Sequence, residues 1–202
     1  MIVSLRHGFV LLLMPKCASE ALLAALSPRA DMVFRHPPEA KHAGMQRFER
    51  FIRPFIARVG GDRPETLCLM REPEAWLQSW WRYRQRDDLA GQPKSTRGIC
   101  FERFVGLYLD REGPGSGIGR QVRFVSDRQG QVSVDHLFRF EEIEDLSAWI
   151  ARRTGWRFDL TALNRSPDRV AEPLGAFMRG RLERELAADF ELYATLGRGR
   201  AA

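Results

Sequence analysis

Apolar and polar residues alternate along the chain in blocks that predict strands followed by helices. Residues 8–14 form a continuous apolar run, typical of a buried strand, and residues 19–26 follow as a short helix. The same order recurs in a short apolar run at 66–70 and a helix at 73–84, which Pro73 opens. Strands that alternate with helices in this way indicate an α/β domain with a mostly parallel sheet.

The rest of the chain continues the pattern. Periodic apolar residues predict helices at 45–58, 99–109, 141–154 and 174–196. Short apolar runs predict strands at 32–35, 122–126 and 132–140, the last two joined as a hairpin through Arg128-Gln129-Gly130. Polar and glycine-rich composition predicts exposed, mobile loops at 86–97 and 111–119. A length of 202 residues fits a single domain that covers residues 1–202.

The charge balance favours an anionic partner. The formal charge is +6, and arginine supplies nearly all of the excess. The arginines are scattered over predicted helices instead of forming a basic tail, which disfavours nucleic acid as the partner. Three cysteines are too few for a disulfide framework or a zinc site, and no targeting or membrane-spanning segment is visible. We therefore expect a cytoplasmic protein with reduced thiols, no metal and no membrane contact.

The turn between the first predicted strand and helix has the residues of an anion site. It reads Pro15-Lys16-Cys17-Ala18-Ser19-Glu20, which places a lysine and the free N–H groups of a helix start at the end of a buried strand. The motif is not the GxxxxGK[ST] loop of ATP-binding proteins. A solvated lysine at an ordinary strand–helix corner is the alternative interpretation. Cys17 is either a reactive thiol or a small residue that fits the turn.

A second turn repeats this arrangement with an arginine. Arg71 ends the strand at 66–70, and Ser79 lies about two turns into the next helix. A guanidinium and a hydroxyl can converge on one phosphate if the chain folds back over it. Two such turns in one small domain predict a ligand with two separated anionic groups.

Taken together, these motifs resemble the sulfotransferases that use 3′-phosphoadenosine 5′-phosphosulfate (PAPS) as donor, in their bacterial, carbohydrate-type branch. The resemblance rests first on the lysine loop followed by Arg71, Pro73 and Ser79 in that order. It continues through Lys41-His42-Ala43, the strand end at 137–141, Asn164-Arg165-Ser166 and the segment 189–193. It implies a P-loop NTPase-like three-layer fold with a mostly parallel central sheet flanked by helices.

The resemblance also implies roles for individual residues. Lys16 would contact the bridging oxygen of the phosphosulfate and stabilise the leaving phosphate. The 5′-phosphate would be held by the loop, namely by Cys17, Ala18, Ser19 and Glu20 through their N–H groups and the Ser19 hydroxyl. Arg71 and Ser79 would hold the 3′-phosphate. A closing loop would include Asn164, Arg165 and Ser166. The acceptor would offer a hydroxyl or an amine, with a carbohydrate as the first expectation.

The acceptor loses a proton as it attacks sulfur, so a general base is expected. His42 is the first candidate, because histidine titrates near neutrality and this segment matches one near the acceptor in the resembling enzymes. His36 and Glu39 are the alternatives. Trp76, Trp80 and Tyr83 share a helical face that favours core packing, whereas Trp81 points elsewhere and can stack on a sugar or on adenine.

Glu20 departs from the family pattern, which has small hydroxyl residues after the loop serine. A carboxylate beside a phosphosulfate would repel it unless the side chain points outward. The alternative to an active enzyme is therefore a catalytically decayed protein of the same fold that binds a nucleotide or a glycan. A small-molecule kinase is the third possibility, disfavoured by the missing phosphate-loop pattern. The pattern does not identify the acceptor or the oligomeric state.

Overall fold

The computed structural model describes residues 1–59, 62–158, 160 and 173–197. These residues contain a five-stranded sheet with the strand order β3-β1-β2-β4-β5. Its strands are β1 (Ile2–Ser4), β2 (Phe9–Leu12), β3 (Met32–Val33), β4 (Glu65–Met70) and β5 (His136–Arg139).

The sheet is mixed, and the mostly parallel arrangement expected from the sequence is not confirmed. Strand β2 pairs in parallel with β4, and β4 pairs in parallel with β5. Strand β1, which the sequence analysis did not predict, runs antiparallel to both of its neighbours. It joins β2 through a tight turn that Gly8 closes with a φ of 66°, a conformation that glycine adopts without strain.

The central strands are covered on both faces. Every residue of β1 and β2 is buried, as are residues 66–70 of β4. Successive side chains of a strand point to opposite faces, so this burial requires packed structure on each side of the sheet. The apolar runs that predicted these strands show no alternation for the same reason.

Helices surround the sheet. They are α1 (Ser19–Leu26), α2 (Pro38–Lys41), α3 (Met45–Arg47), α4 (Arg53–Arg58), α5 (Pro73–Tyr83), α6 (Phe101–Asp110), α7 (Gln121–Val125), α8 (Ile143–Thr154), α9 (Ala176–Glu185) and α10 (Ala187–Thr195). A π-helical segment, Phe48–Ile52, joins α3 to α4, so the helix predicted at 45–58 is confirmed with one irregular stretch. The long helix predicted at 174–196 is broken at Leu186, whose side chain is buried. Within the described residues, no helix has the length and apolarity to cross a membrane.

The prediction of a strand at 122–126 is wrong, because this segment forms α7. Asp189 of α10 accepts a hydrogen bond from the Val122 N–H at 3.0 Å and thereby caps the start of α7. The expected hairpin is reduced to one bridge between Ser126 and Val132, and the strand expected at 132–140 is confined to β5. A partner 67 residues away thus overrides the local preference of Val122 and Val125 for a strand.

The glycine-rich segment 111–119 is not a wholly exposed, mobile loop as predicted. Residues Gly113–Gly115 form a 3₁₀ turn in which Pro114 and Gly115 are buried. A side chain at Gly115 would lie 2.2 Å from the backbone nitrogen of Tyr108, so only glycine fits this approach to α6.

Asp189 supplies a first test of the fold. Its pKa is raised by burial, and its second oxygen has no hydrogen-bond partner within the described chain, so the charged form is costly at neutral pH. We expect Asp189→Asn, which keeps an acceptor for Val122, to be at least as stable as the native chain at pH 7. Asp189→Ala loses the cap and should be about 1 kcal/mol less stable than Asp189→Asn. Urea unfolding measures both differences.

The pH dependence provides the control. An acid whose pKa is raised by folding loses stability as the pH rises through that pKa. The advantage of Asp189→Asn over the native chain should therefore shrink in acid. An advantage that is constant from acid to neutral pH would contradict this account.

Candidate functional site

Three loops meet at one edge of the sheet. Strands β2, β4 and β5 are parallel, so the loops that follow their carboxyl ends lie side by side. The first loop carries Lys16 and leads into α1, the second carries Arg71 and leads into α5, and the third carries Glu141 and leads into α8. The two candidate anion-binding turns therefore lie at the same edge of the fold.

The backbone of the first loop forms a concave set of donors. The φ angles are 67° at Lys16 and 55° at Ala18, with Cys17 between them at negative φ. Alternation of this kind turns successive N–H groups towards one point, which is the geometry of a backbone anion site. Among the described residues, the N–H groups at 18–21 have no acceptor, and α1 has no side-chain cap. These donors are therefore available to a ligand.

The Lys16 side chain lies among cations and aromatic rings. Its Nζ atom is 4.0 Å from the ring centroid of Tyr83 and 6.0 Å from that of Trp80. Burial, with added repulsion from Arg71 and Arg86, lowers the pKa of Lys16 to about 8. Within the described part of the chain no carboxylate pairs with Lys16. A bound anion would relieve both the burial cost and the repulsion.

Arg71 is held firmly at the end of β4. The buried Gln121 side chain accepts a hydrogen bond from the Arg71 N–H at 3.0 Å and donates one to the Arg71 carbonyl at 2.8 Å. The guanidinium lies over the Phe140 ring at 4.5 Å, and Nε is 4.0 Å from a Glu141 oxygen. This Nε is buried and makes no hydrogen bond in the described structure. Sequence reasoning missed Gln121, whose spacing from Arg71 carries no local signal.

Glu141 is positioned by its own contacts. One of its oxygens accepts a hydrogen bond from the Glu72 N–H at 3.2 Å, and the other accepts one from the Tyr193 hydroxyl at 2.7 Å. The segments at 137–141 and 189–193, which supported the family resemblance, therefore meet beside Arg71. Glu141 favours the charged form of Arg71, whereas burial lowers the pKa of that guanidinium.

Two further cations lie in α5 and just after it, Arg82 and Arg86. Arg71 and Arg82 repel each other, and Lys16 is repelled by Arg82 and Arg86. We call Lys16, Arg71, Arg82 and Arg86 the cationic edge. Trp76 connects α5 to the first loop, because its indole N–H donates to the Pro15 carbonyl at 2.9 Å.

The aromatic face predicted on α5 is confirmed. Trp76 packs edge-on against Trp80 with ring centroids 6.2 Å apart, and Trp80 packs against Tyr83 at 6.0 Å. Trp81 points to another side, where its indole N–H donates to the Ile99 carbonyl at 2.8 Å. It lines a groove of about 1230 Å³ between α5 and residues 96–100, which also contains Arg82 and Arg86.

Two of the other predicted ligand residues, Ser79 and Cys17, are buried. Ser79 is only 5% exposed, and the described structure shows no hydrogen bond between it and Arg71. Burial raises the pKa of the Cys17 thiol to about 12, so thiolate is scarce and the small-residue interpretation of Cys17 is favoured. The segment Asn164-Arg165-Ser166 lies outside the described residues.

The Glu20 side chain points to solvent. The side chain is 63% exposed, and its carboxylate forms an ion pair with Lys41 that lowers the pKa of Glu20. The negative charge is therefore compensated by a neighbour on α2. Only the N–H of Glu20 remains directed into the loop, with no acceptor in the described structure.

The side chain of His42 contacts the end of the strand that leads into the first loop. Its Nδ1 atom is 2.6 Å from the Leu13 carbonyl oxygen, three residues before Lys16. A carbonyl only accepts, so Nδ1 carries the hydrogen and Nε2 holds the free lone pair. Burial lowers the pKa of His42, which keeps the ring neutral at pH 7. His36 and Glu39 are exposed.

The strain at Lys16 is electrostatic, so removing the charge should stabilise the protein. We expect Lys16→Met to raise the free energy of unfolding at pH 7 by about 1–3 kcal/mol, since the pKa falls from its usual 10.5 to about 8 on folding. Native stability then rises as the pH increases from about 8 to 10.5, and the difference between the two proteins shrinks over that window. Chemical unfolding at pH 7 and pH 10 measures this difference. If the native protein and Lys16→Met differ by the same amount at pH 7 and pH 10, Lys16 is well solvated and this account is wrong.

Comparison with known proteins leaves the site without a named relative. No protein-family model, no curated protein and no solved structure matches the chain. A function has therefore to be inferred from the residues, distances and charges at this edge of the sheet.

Proposed function

We propose that the chain is a cytoplasmic sulfotransferase that moves a sulfuryl group from PAPS to a hydroxyl or amine of an acceptor, with a carbohydrate as the first candidate. The observation that carries the proposal is that two like charges, Lys16 and Arg71, lie near each other. Two cations on adjacent loops are close enough to repel each other, and Lys16 has no carboxylate partner in the described chain. Such an arrangement favours a ligand with two anionic groups.

PAPS fits this requirement because its anions lie on different parts of the nucleotide. The loop N–H groups at 18–21 and Lys16 would bind the 5′-phosphosulfate, and Arg71 would bind the 3′-phosphate. The buried Ser79 hydroxyl would contact that phosphate only if the phosphate reaches the base of the site. The 3′-phosphate is the group that AMP and ATP lack, so Arg71 would provide the discrimination between donors.

The transfer forms one bond to sulfur and breaks one. The acceptor oxygen or nitrogen attacks sulfur and forms a new bond, the bond from sulfur to the bridging phosphate oxygen breaks, and 3′,5′-adenosine bisphosphate leaves. Lys16 would stabilise the charge that builds on the leaving oxygen. The acceptor proton would pass to Nε2 of His42, which is neutral and has its other nitrogen fixed by Leu13.

The proposed fold is a P-loop NTPase-like three-layer arrangement in which β2, β4 and β5 form the parallel part. Support comes from the burial of the central strands on both faces and from the position of the Lys16 loop between β2 and α1. The acceptor would enter through the groove lined by Trp81. The groove shares Arg82 and Arg86 with the cationic edge, and an indole beside polar side chains is typical of a sugar site.

The donor site can be tested without knowing the acceptor. In calorimetric titrations we expect 3′,5′-adenosine bisphosphate to bind at least about tenfold more tightly than AMP or ATP, because only it reaches both cations. Arg71→Ala should weaken the bisphosphate by about 10- to 100-fold, the range for hydrogen bonds to charged groups, and should leave AMP nearly unchanged. The exposed Arg29→Ala is the matched control. Equal affinity for all three nucleotides would remove the sulfotransferase assignment.

A substitution at Glu20 distinguishes an active enzyme from a binding protein of the same fold. Since the carboxylate is exposed and paired with Lys41, Glu20→Thr should leave bisphosphate affinity within about twofold. A large gain would indicate a decayed donor site. Bisphosphate binding without transfer to any acceptor in a broad carbohydrate, phenol and amine screen would support the binding protein.

The role of His42 predicts a specific pH profile. With an acceptor from that screen, kcat/KM should fall in acid, where His42 is protonated, and fall again as the pH rises past about 8, where Lys16 loses its charge. His42→Asn keeps a donor for the Leu13 carbonyl and removes the base, so we expect about a 100-fold slower transfer with bisphosphate affinity retained. The acid limb of the profile should vanish as well. An unchanged limb in His42→Asn would assign the base to another group, with Glu39→Gln as the next variant.

A further inference from the structure

The helix that runs from α3 through α4 presents an apolar face to solvent. Phe51, Phe55 and Val59 are 59%, 51% and 53% exposed. Phe48 and Ile56 of the same helix are buried in the core. A surface helix normally turns its apolar residues towards the core, and several large apolar residues left exposed together mark a surface that binds a partner. The outer face therefore lacks a partner in the described structure.

The exposed residues form a continuous line. Phe51 lies in the π-helical segment, Phe55 in α4 and Val59 at the C-terminal cap of α4, at intervals of four residues, about one helical turn each. Pro54 and Ala57, also exposed, extend the apolar surface. We call Phe51, Phe55 and Val59 the apolar stripe.

Cations border the apolar stripe. Arg47, Arg50 and Arg58 are exposed, and none of them pairs with a carboxylate within the described residues. The one acidic residue of this helix, Glu49, is paired with Arg53 at 2.8 Å and is thus neutralised. Aromatic and aliphatic side chains flanked by unpaired arginines are the composition of helices that lie in the headgroup region of anionic membranes.

We propose that the apolar stripe and its three arginines bind the surface of an anionic lipid bilayer. The stripe enters the boundary between headgroups and acyl chains, and the guanidinium groups contact lipid phosphates. Charge complementarity favours this partner. An anionic membrane supplies negative groups for Arg47, Arg50 and Arg58, which have no carboxylate partner in the described structure. The inference differs from the expectation of no membrane contact and does not depend on the proposed sulfotransferase activity.

Two other partners fit less well. In a symmetric dimer through this face, the same arginines of the two copies would face each other without carboxylates between them. A single-stranded nucleic acid needs free aromatic faces for stacking, but the Arg50 guanidinium covers the Phe51 ring at 5.0 Å and Val59 has no ring. A membrane needs neither a flat ring nor an opposite charge on a second copy.

Vesicle flotation tests the proposal with the full chain. We expect the protein to float with phosphatidylcholine vesicles that contain roughly a third phosphatidylserine, and much less with phosphatidylcholine alone. Phe51→Ser with Phe55→Ser should lower binding about tenfold or more by removing the inserted surface. The triple change Arg47→Gln, Arg50→Gln and Arg58→Gln should abolish the preference for anionic vesicles and the sensitivity to salt.

Matched controls separate this face from general stickiness. Phe177→Ser removes the most exposed phenylalanine elsewhere on the protein, at 81%, and should leave flotation unchanged. The triple change Arg29→Gln, Arg103→Gln and Arg152→Gln removes the same charge from other exposed positions and should reduce binding far less. Circular dichroism checks that every variant is folded.

Four results would overturn the proposal. In the first, the native chain fails to float with anionic vesicles at low salt. In the second, the double phenylalanine variant and the triple arginine variant of this face float as well as their controls. Light scattering shows a dimer that Phe51→Ser with Phe55→Ser converts to a monomer, which assigns the face to a second copy. A single-stranded oligonucleotide binds in place of vesicles and is lost in the same variants, which assigns the face to nucleic acid.

Discussion

The parallel pairing of β2 with β4 is the constraint on which the candidate site depends. Its register sets Leu12 opposite Cys68, so both strands end at the same edge and deliver Lys16 and Arg71 to neighbouring loops. These cations repel each other, and among the contacts that hold them only the one from Glu141 to Arg71 compensates charge. Gln121 fixes the backbone of Arg71, and Tyr83 offers Lys16 a ring instead of a carboxylate. The protein thus stores electrostatic strain where a ligand can relieve it.

Much of this edge could be predicted from local sequence. The strand β2, the helix α1, the strand β4 and the helix α5 follow from contiguous residues, because a buried parallel strand needs only an apolar run and a helix start needs only its first turn. The resulting motif places Lys16 and Arg71 in their loops with the correct neighbours. Local patterns were sufficient wherever the residues that decide the conformation are adjacent in sequence.

The remaining elements depend on partners that are distant in sequence. The segment 121–125 becomes helical because Asp189 caps it, and β1 forms because β2 and β3 provide an edge on either side. The exposed state of Glu20 depends on Lys41, and the fixed nitrogen of His42 depends on the Leu13 carbonyl. A single sequence gives no sign of such pairings. It therefore left the Glu20 carboxylate in conflict with a bound phosphosulfate and His42 as one of three candidate bases.

The cap that Asp189 places on α7 also couples the site to α10, a helix that carries none of its cations. Gln121 begins α7 and clamps Arg71, while Tyr193 on the same helix as Asp189 holds Glu141 beside that arginine. A change that loosens α10 would therefore weaken the support of Arg71 while leaving β2 and the Lys16 loop in place. By the same coupling, an anion bound to Lys16 and Arg71 would make α10 more resistant to local unfolding, although no residue of that helix touches the anion.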